Sequence, residues 1–299
     1  MKRKFPILSL LTLTIIVIHC FACGLIMTKD PLYMDLVHCN EAPGKEFLFG
    51  TDTMGRDIFS MIWYGGRISL TIGFLATLLS TVLAVFVGSI SGCAPARADG
   101  ILMRLTELIL SVPGLLLTVF LQAVFGRANV YSLSVVIGLT GWMSMAKVVR
   151  TEVLQLKNAD YVLAAKCLGG GFFHVLFCHL APNFFPSVLF MAIMNVRNAI
   201  VAESTLSFMG LGLPVETVSW GSMLSLSENA LFSRSWWVIL VPGVFLVGTL
   251  LCLTNLGNYM RGSTNKRHSN LGCEKKDKKI GKKYKIIIKK SKRCGIMDL

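Results

Sequence analysis

Four ionisable side chains interrupt strongly apolar stretches of the sequence: His19, Glu107, Arg197 and Glu203. A charge among apolar side chains costs free energy, so such residues are expected to bind or pair with something. Arg197 and Glu203 share one stretch and could form either a functional site or a structural ion pair. His19 stands alone among Ile, Cys and Phe, and we expect it to be a satisfied packing residue.

No arrangement of residues predicts an enzyme. Cys20 and Cys23 have the CxxC spacing, but both lie in an apolar stretch without a second pair, which favours simple burial. The phosphate-binding pattern GxxxxGK[S/T] does not occur, because neither Lys45 nor Lys282 is followed by Ser or Thr. No HExxH, paired carboxylates or Ser–His set lies at catalytic spacing. We therefore expect no catalytic residue, metal site or cofactor in this chain.

The composition indicates the environment of these side chains. Of the 299 residues, 54% are hydrophobic and 15% are charged, and the mean hydropathy is +0.64. Soluble domains carry about 25% charged residues, and a globule of this size cannot bury so much apolar surface. These values exclude a disordered chain and a disulfide-stapled secreted domain. They favour a polytopic protein of the lipid bilayer.

Six stretches contain the roughly 20 apolar residues that a spanning helix needs. They predict an all-α membrane protein with helices at about 7–27, 68–93, 101–125, 130–148, 184–208 and 236–256. Pro113 should kink the third helix, and Gly88 with Gly92 should allow close approach of a neighbour to the second. The first stretch is predicted to be a retained helix, because no small-x-small cleavage site follows it.

The basic residues predict the orientation. Residues 258–299 hold 14 of the 30 lysines and arginines and three acids, which leaves the body of the chain nearly neutral. Because basic segments stay inside, both termini are predicted to be cytoplasmic. The tail 263–299 is expected to be disordered, either solvated or attracted to anionic lipid. Its single aromatic residue, Tyr284, offers no stacking platform, so no nucleic-acid partner is expected.

One cytoplasmic segment, about 149–183, is unusual for a connection between spans. Asp160 favours the start of a short amphipathic helix over 159–168. Three glycines beginning at Gly169 should end that helix, since glycine readily adopts positive φ. A second helix over 172–180 should then end at the following Ala-Pro pair. The pattern predicts a helix–bend–helix element suited to docking.

This segment resembles the cytoplasmic loop of permease subunits of bacterial ABC importers, usually Glu-Ala-Ala, three residues, Gly, and a later Leu-Pro. Ala164, Ala165, Gly169 and Pro182 match that spacing, whereas Leu163 stands where the family often has Glu. Further motifs are similar to the peptide and nickel branch. They are FGTD at 49–52, GRD at 55–57, GRISL at 66–70, ESTLSF at 203–208, GLG at 210–212 and SWG at 219–221.

The resemblance covers about residues 1–262 and implies a type I ABC importer permease of a bacterial cell membrane. It implies a first helix and extracellular segment (1–67) and a transmembrane domain (68–262). The implied partners are a second permease subunit, two ATP-binding subunits that carry ATP and Mg, and an extracellular substrate-binding protein. The residues implied to couple this chain to the ATPases are Asp160, Tyr161, Ala164, Ala165, Gly169, His179 and Pro182.

The same resemblance suggests roles for five charged residues. Asp52, Arg56 and Asp57 should either contact the binding protein or form a solvated, locally paired loop. Arg197 and Glu203 should face the translocation pathway or the second permease, if they are not a structural ion pair.

The branch transports peptides, nickel and metal chelates. A peptide is the favoured substrate here, and nickel or a metal chelate is the alternative. An ion-gradient-driven secondary transporter is a remote alternative, because no matching halves with broken spans are apparent.

Overall fold

The computed structural model describes residues 6–214, 216–226 and 235–262, apart from the side chain of Lys166. Helices make up the regular structure of these ranges, and the only bridge between extended residues joins Thr51 and Asp57. The predicted all-α fold is therefore confirmed. The helices are α1 Ile7–Phe21, α2 Cys23–Ile26, α3 Ile58–Cys93, α4 Ala96–Leu110, α5 Gly114–Phe125, α6 Val130–Leu156, α7 Asp160–Cys167, α8 Phe172–His174, α9 Ala181–Phe208, α10 Trp220–Ser225 and α11 Trp236–Gly262.

Several of these helices are long and apolar enough to cross a bilayer. They are α3, α6, α11 and the continuous helix Phe172–Phe208 that contains α9. The pair α4 and α5 also qualifies if it is taken as one bent span. With 15 residues, α1 is shorter than the roughly 20 that cross a bilayer along its normal. The chain is a multi-pass membrane protein, and the count of six spans stays a prediction.

The helix α3 begins ten residues before the predicted span, at Ile58 rather than Ile68. Asp57 starts it, because the carboxylate of Asp57 accepts a hydrogen bond from the backbone N–H of Ser60 at 3.1 Å. The boundary predicted after residue 67 therefore falls inside one continuous helix.

The predicted kink at Pro113 is a sharp bend. The helices α4 and α5 meet at 88° across the three residues between them. Proline has no N–H to donate, and the residue before it avoids the helical region, so a continuous helix is disfavoured here. As a result α4 and α5 run in different directions, and α5 packs against α6.

Two glycines of α3, Gly88 and Gly92, allow it to pack closely against α6. A methyl group at Gly88 would lie 2.6 Å from the carbonyl oxygen of Ala146, and one at Gly92 would lie 2.7 Å from the side chain of Val153. Both distances are too short for carbon, so only glycine permits this approach. The close helix contact predicted from this glycine pair is confirmed.

Candidate functional site

The loop between α6 and α9 contains the predicted bend. The helix α7 ends at Cys167, and Gly169 follows with φ of +85°, in the region that favours glycine. The N–H of Gly170 then donates to the carbonyl oxygen of Ala165 at 2.9 Å, which closes the end of the helix.

The second half of the loop differs from the prediction, because its helix does not stop at Pro182. The short helix α8 continues as a π-helix over Val175–Leu180 and then directly into α9. Pro182 lies in the first turn of α9, where its missing N–H breaks no α-helical hydrogen bond. The loop therefore runs without interruption into a spanning helix.

The two faces of α7 have different surroundings. Val162 and Ala165 are buried and pack in one cluster with Val175 and Leu180 of the π-helix. Ala165 was predicted to contact an ATPase subunit, but its side chain faces this chain's own core. Exposed positions form the other face of α7 and the segment after it, namely Tyr161, Leu163, Ala164 and Leu168.

Side chains also join α7 to the start of α9. The amide of Asn183 donates to the hydroxyl of Tyr161 at 3.3 Å and to the carbonyl oxygen of His179 at 2.8 Å. Partial burial raises the pKa of the Tyr161 phenol, so this hydroxyl remains protonated in the neutral range. Tyr161 and His179 are thus brought together, with ring centroids 6.3 Å apart, while Asp160 lies in the first turn of α7.

A groove lies between α5, α6 and α9, with a cavity volume of about 450 Å³. None of the described residues that line it is ionisable. Its hydrogen-bonding side chains are Thr118, Thr140, Ser144, Asn195, Asn198 and Thr205. Neutral hydroxyl and amide groups facing an open space between spanning helices offer hydrogen bonds to a polar solute without binding an ion. The sequence showed no pattern that would have identified this groove.

The two charged residues of α9 occupy different places. Arg197 Nη2 donates to Asn198 Oδ1 at 2.8 Å, beside the groove. Glu203 is fully buried inside the protomer and accepts hydrogen bonds from Ser69, Ser207 and Ser219 at 3.0, 3.0 and 2.7 Å. The suggested ion pair between Arg197 and Glu203 is therefore wrong. Direct exposure of Glu203 to a pathway or a second subunit is also not what the structure shows.

Asp52, Arg56 and Asp57, in the segment between α2 and α3, are buried as well. Asp52 Oδ2 accepts from Arg56 Nε at 2.8 Å, and both side chains are 2% exposed. Asp57 accepts hydrogen bonds from Ser60 and from the hydroxyl of Thr28, at 2.9 Å for the latter. These side chains stabilise the fold of the segment, and they are not themselves exposed for direct contact with a binding protein. The three charged residues are locally paired, as one alternative proposed, but they are buried and not solvated.

An ion pair that the sequence did not reveal joins α4 to α6. Arg150 donates from Nε and Nη2 to the two carboxylate oxygens of Asp99, both at 2.5 Å. Ser91 at the end of α3 donates to the same carboxylate. Nearby, Lys147 pairs with Glu107 at 3.5 Å, which accounts for the charge at that position.

The other residues that the sequence singled out within apolar stretches, His19, Cys20 and Cys23, are packing residues. His19 contacts the carbonyl oxygen of Ile15 through Nδ1 at 2.8 Å, and its ring centroid lies 5.1 Å from that of Trp63. Cys20 and Cys23 are buried in the same hydrophobic cluster. Within residues 6–214, 216–226 and 235–262, no three His, Cys, Asp or Glu side chains converge in a way that could hold a metal ion.

A multi-pass helical fold with a polar groove between its helices is typical of membrane transport subunits, and the family match places this chain in that class. More specifically, this chain belongs to the family of binding-protein-dependent transport system inner membrane components, which matches residues 84–261. It is 35% identical to the oligopeptide transport system permease protein OppC of Bacillus subtilis, over 86% of this chain and 82% of that protein.

Two further relatives are similar over most of their length. The dipeptide transport system permease protein DppC of Bacillus subtilis is 34% identical, over 86% of this chain and 80% of the relative. The di/tripeptide transport system permease protein DppC of Pseudomonas aeruginosa is 31% identical, over 75% of this chain and 73% of the relative.

Proposed function

We propose that this chain is one of two permease subunits of an ATP-driven peptide importer in a bacterial cell membrane, with both termini in the cytoplasm. The observation that carries the proposal is the neutral polar groove between α5, α6 and α9 in a chain whose family is that of permeases. Threonine, serine and asparagine side chains can exchange hydrogen bonds with the amide groups of a peptide. The relatives reported above are named for oligopeptides, dipeptides and tripeptides.

Nickel has less support as a substrate. Nickel prefers imidazole and other nitrogen ligands, and the described lining of the groove contains no histidine, cysteine or carboxylate. The described lining also contains no ionisable residue of the kind that ion-coupled transporters place along their pathways.

The cytoplasmic loop is the proposed site of coupling to the ATP-binding subunits. The exposed face of α7, which contains Ala164, would lie against an ATPase subunit, while Val162 and Ala165 anchor α7 to the π-helix. That π-helix continues into α9, and α9 lines the groove. A displacement of α7 would therefore be passed to the groove through one continuous helix. ATP and Mg would bind to the partner subunits.

The outer segment before α3 is the proposed contact for an extracellular binding protein. Asp52, Arg56 and Asp57 are buried and cannot make this contact directly. Exposed apolar residues of the same segment are therefore proposed to make it. Leu36 and Val37, which are 76% and 87% exposed, are the candidates. The second permease would close the open side of the groove.

Uptake measurements test the proposal. Cells with and without the chain are given labelled dipeptide and labelled nickel, before and after depletion of ATP. We expect the chain to add ATP-dependent uptake of dipeptide and not of nickel. Uptake of nickel alone would favour the alternative substrate. Dipeptide uptake that persists without ATP but collapses with the ion gradient would favour a secondary transporter.

A further inference from the structure

Arg197 has hydrogen-bonding capacity that the described part of the chain does not use. It lies near the middle of α9, and its Nη2 donates to Asn198. Its Nε is buried without a hydrogen-bond partner among the described residues. None of the ion pairs found in residues 6–214, 216–226 and 235–262 includes Arg197.

A guanidinium held in this way is costly. Arginine stays protonated in proteins, so it cannot escape the low-dielectric environment by becoming neutral. The side chain of Arg197 is half-buried, and its Nε is the atom that is fully enclosed. A buried N–H without an acceptor destabilises a protein, and an anion nearby would also offset the cost of partly desolvating the charge. Position 197 therefore indicates an anionic partner from outside the described protomer.

The surroundings indicate where that partner would lie. Asn198, which accepts the Arg197 hydrogen bond, is exposed and lines the groove. This contact holds the guanidinium at the groove's edge, beside a lining that is otherwise uncharged. The natural match for a planar guanidinium is a carboxylate, which accepts two parallel N–H bonds.

We propose that Arg197, held by Asn198, receives the C-terminal carboxylate of a peptide as the peptide passes the groove. This inference rests on the proposed function, since it needs a peptide in the groove. The groove lining would bind peptide amides, and Arg197 would distinguish the end that carries a negative charge. The other source of a carboxylate is an acidic side chain of the second permease.

The test uses the complete transporter in cells and two probes, labelled trialanine and its C-terminal amide. Uptake of each probe is divided by its occupancy of the extracellular binding protein, so that selection at that earlier step is removed. The variants are Arg197→Gln, Arg197→Lys and the control Arg104→Gln, whose side chain on α4 is 85% exposed.

We expect Arg197→Gln to lower trialanine uptake about tenfold or more, as for loss of a charged hydrogen bond, and to leave uptake of the amide nearly unchanged. Arg197→Lys should restore part of the preference for the free acid, and Arg104→Gln should behave as wild type. Equal losses for both probes, or no loss for either, would overturn the proposal.

Co-purification of the second permease separates the two sources of carboxylate. If Arg197→Gln releases that subunit and Arg197→Lys retains it, the partner anion is a protein side chain and the peptide proposal is wrong. If the wild-type transporter takes up neither probe, the proposed function itself fails. Wild-type uptake with parallel losses in the variant contradicts only the role of Arg197.

Discussion

The hydroxyl of Ser219 donates a 2.7 Å hydrogen bond to the buried carboxylate of Glu203, sixteen residues earlier in the chain. Ser219 also caps α10 through the backbone N–H of Ser222. Ser69 of α3 donates to the other carboxylate oxygen of Glu203. One side chain of α9 therefore fixes both α3 and the start of α10.

Replacing Glu203 with Ala should destabilise the chain, because it leaves buried serine hydroxyls without their acceptor. We expect a loss of about 1–3 kcal/mol in the free energy of unfolding, seen as a lower melting temperature in detergent. Glu203→Gln should lose less, since its amide oxygen still accepts. Glu107→Ala, at a half-exposed position, is the control. An equal change in Glu203→Ala and Glu107→Ala would contradict this role.

The pair of Asp99 and Arg150 should contribute to the docking of α4 on α6. In a double-mutant cycle with Asp99→Asn and Arg150→Gln, we expect a coupling energy of about 0.5–3 kcal/mol from chemical denaturation, the range for contacting residues. The same cycle for Arg104 and Glu107 should give a smaller coupling energy, because this pair is exposed to solvent. Arg104 Nη1 lies 3.9 Å from Glu107 Oε2, and the two side chains are 85% and 51% exposed. Strictly additive effects of Asp99→Asn and Arg150→Gln would show that the ion pair is not stabilising.

Gly88→Leu should prevent the close approach of α3 to α6, because even its Cβ would lie 2.6 Å from the carbonyl oxygen of Ala146. We expect a lower yield of folded protein and increased protease sensitivity in membranes. Gly100→Ala is the matched control, since a methyl group there meets no atom within 4 Å. That change should be neutral or stabilising by up to about 1 kcal/mol. Wild-type behaviour of Gly88→Leu would contradict the packing.

The contact of Asp35 with His38 predicts a pH dependence in the segment between α2 and α3. The hydrogen bond between them raises the pKa of His38 and lowers that of Asp35. His38 contributes to the stability of the folded segment below the ordinary pKa of histidine, and this contribution is lost as pH rises through the raised pKa. Asp35 contributes to the same stability above the ordinary pKa of aspartate, and this contribution is lost as pH falls through the lowered pKa. The pair is thus strongest in weakly acidic solution.

An NMR titration of the His38 ring measures this effect. In Asp35→Asn, the pKa of His38 should fall back toward its ordinary value, because the amide carries no negative charge. If His38 titrates identically in both proteins, the two side chains do not interact in solution.

Apolar stretches and special residues made much of the fold predictable. The bend at Pro113, the positive φ at Gly169 and the close packing at Gly88 each follow from a local backbone property that the sequence displays directly. Burial of charge could not be predicted in this way. In the sequence, Arg56 has the pattern of a charged residue in an exposed loop. In the structure it is paired with Asp52 and enclosed by the surrounding fold.

For the candidate sites, too, local features could be predicted from the sequence and features that depend on tertiary structure could not. The helix–bend–helix loop was evident from glycine and proline spacing, but its continuation through a π-helix was not, because proline is equally suited to the first turn of the next helix. The polar groove depends on three threonines, one serine and two asparagines from three helices. Their convergence is a tertiary property, and no spacing within one helix indicates it.

The measurement that tests the account most directly is ATP-dependent uptake of labelled trialanine by the complete transporter carrying Ala164→Arg. Ala164 lies on the exposed face of α7, and Ala98→Arg, at an exposed position of α4, is the matched control. We predict that Ala164→Arg lowers uptake about tenfold or more, equivalent to ~1.4 kcal/mol, and weakens retention of the ATP-binding subunits, while Ala98→Arg does neither. Wild-type uptake and retention in Ala164→Arg would contradict coupling through α7.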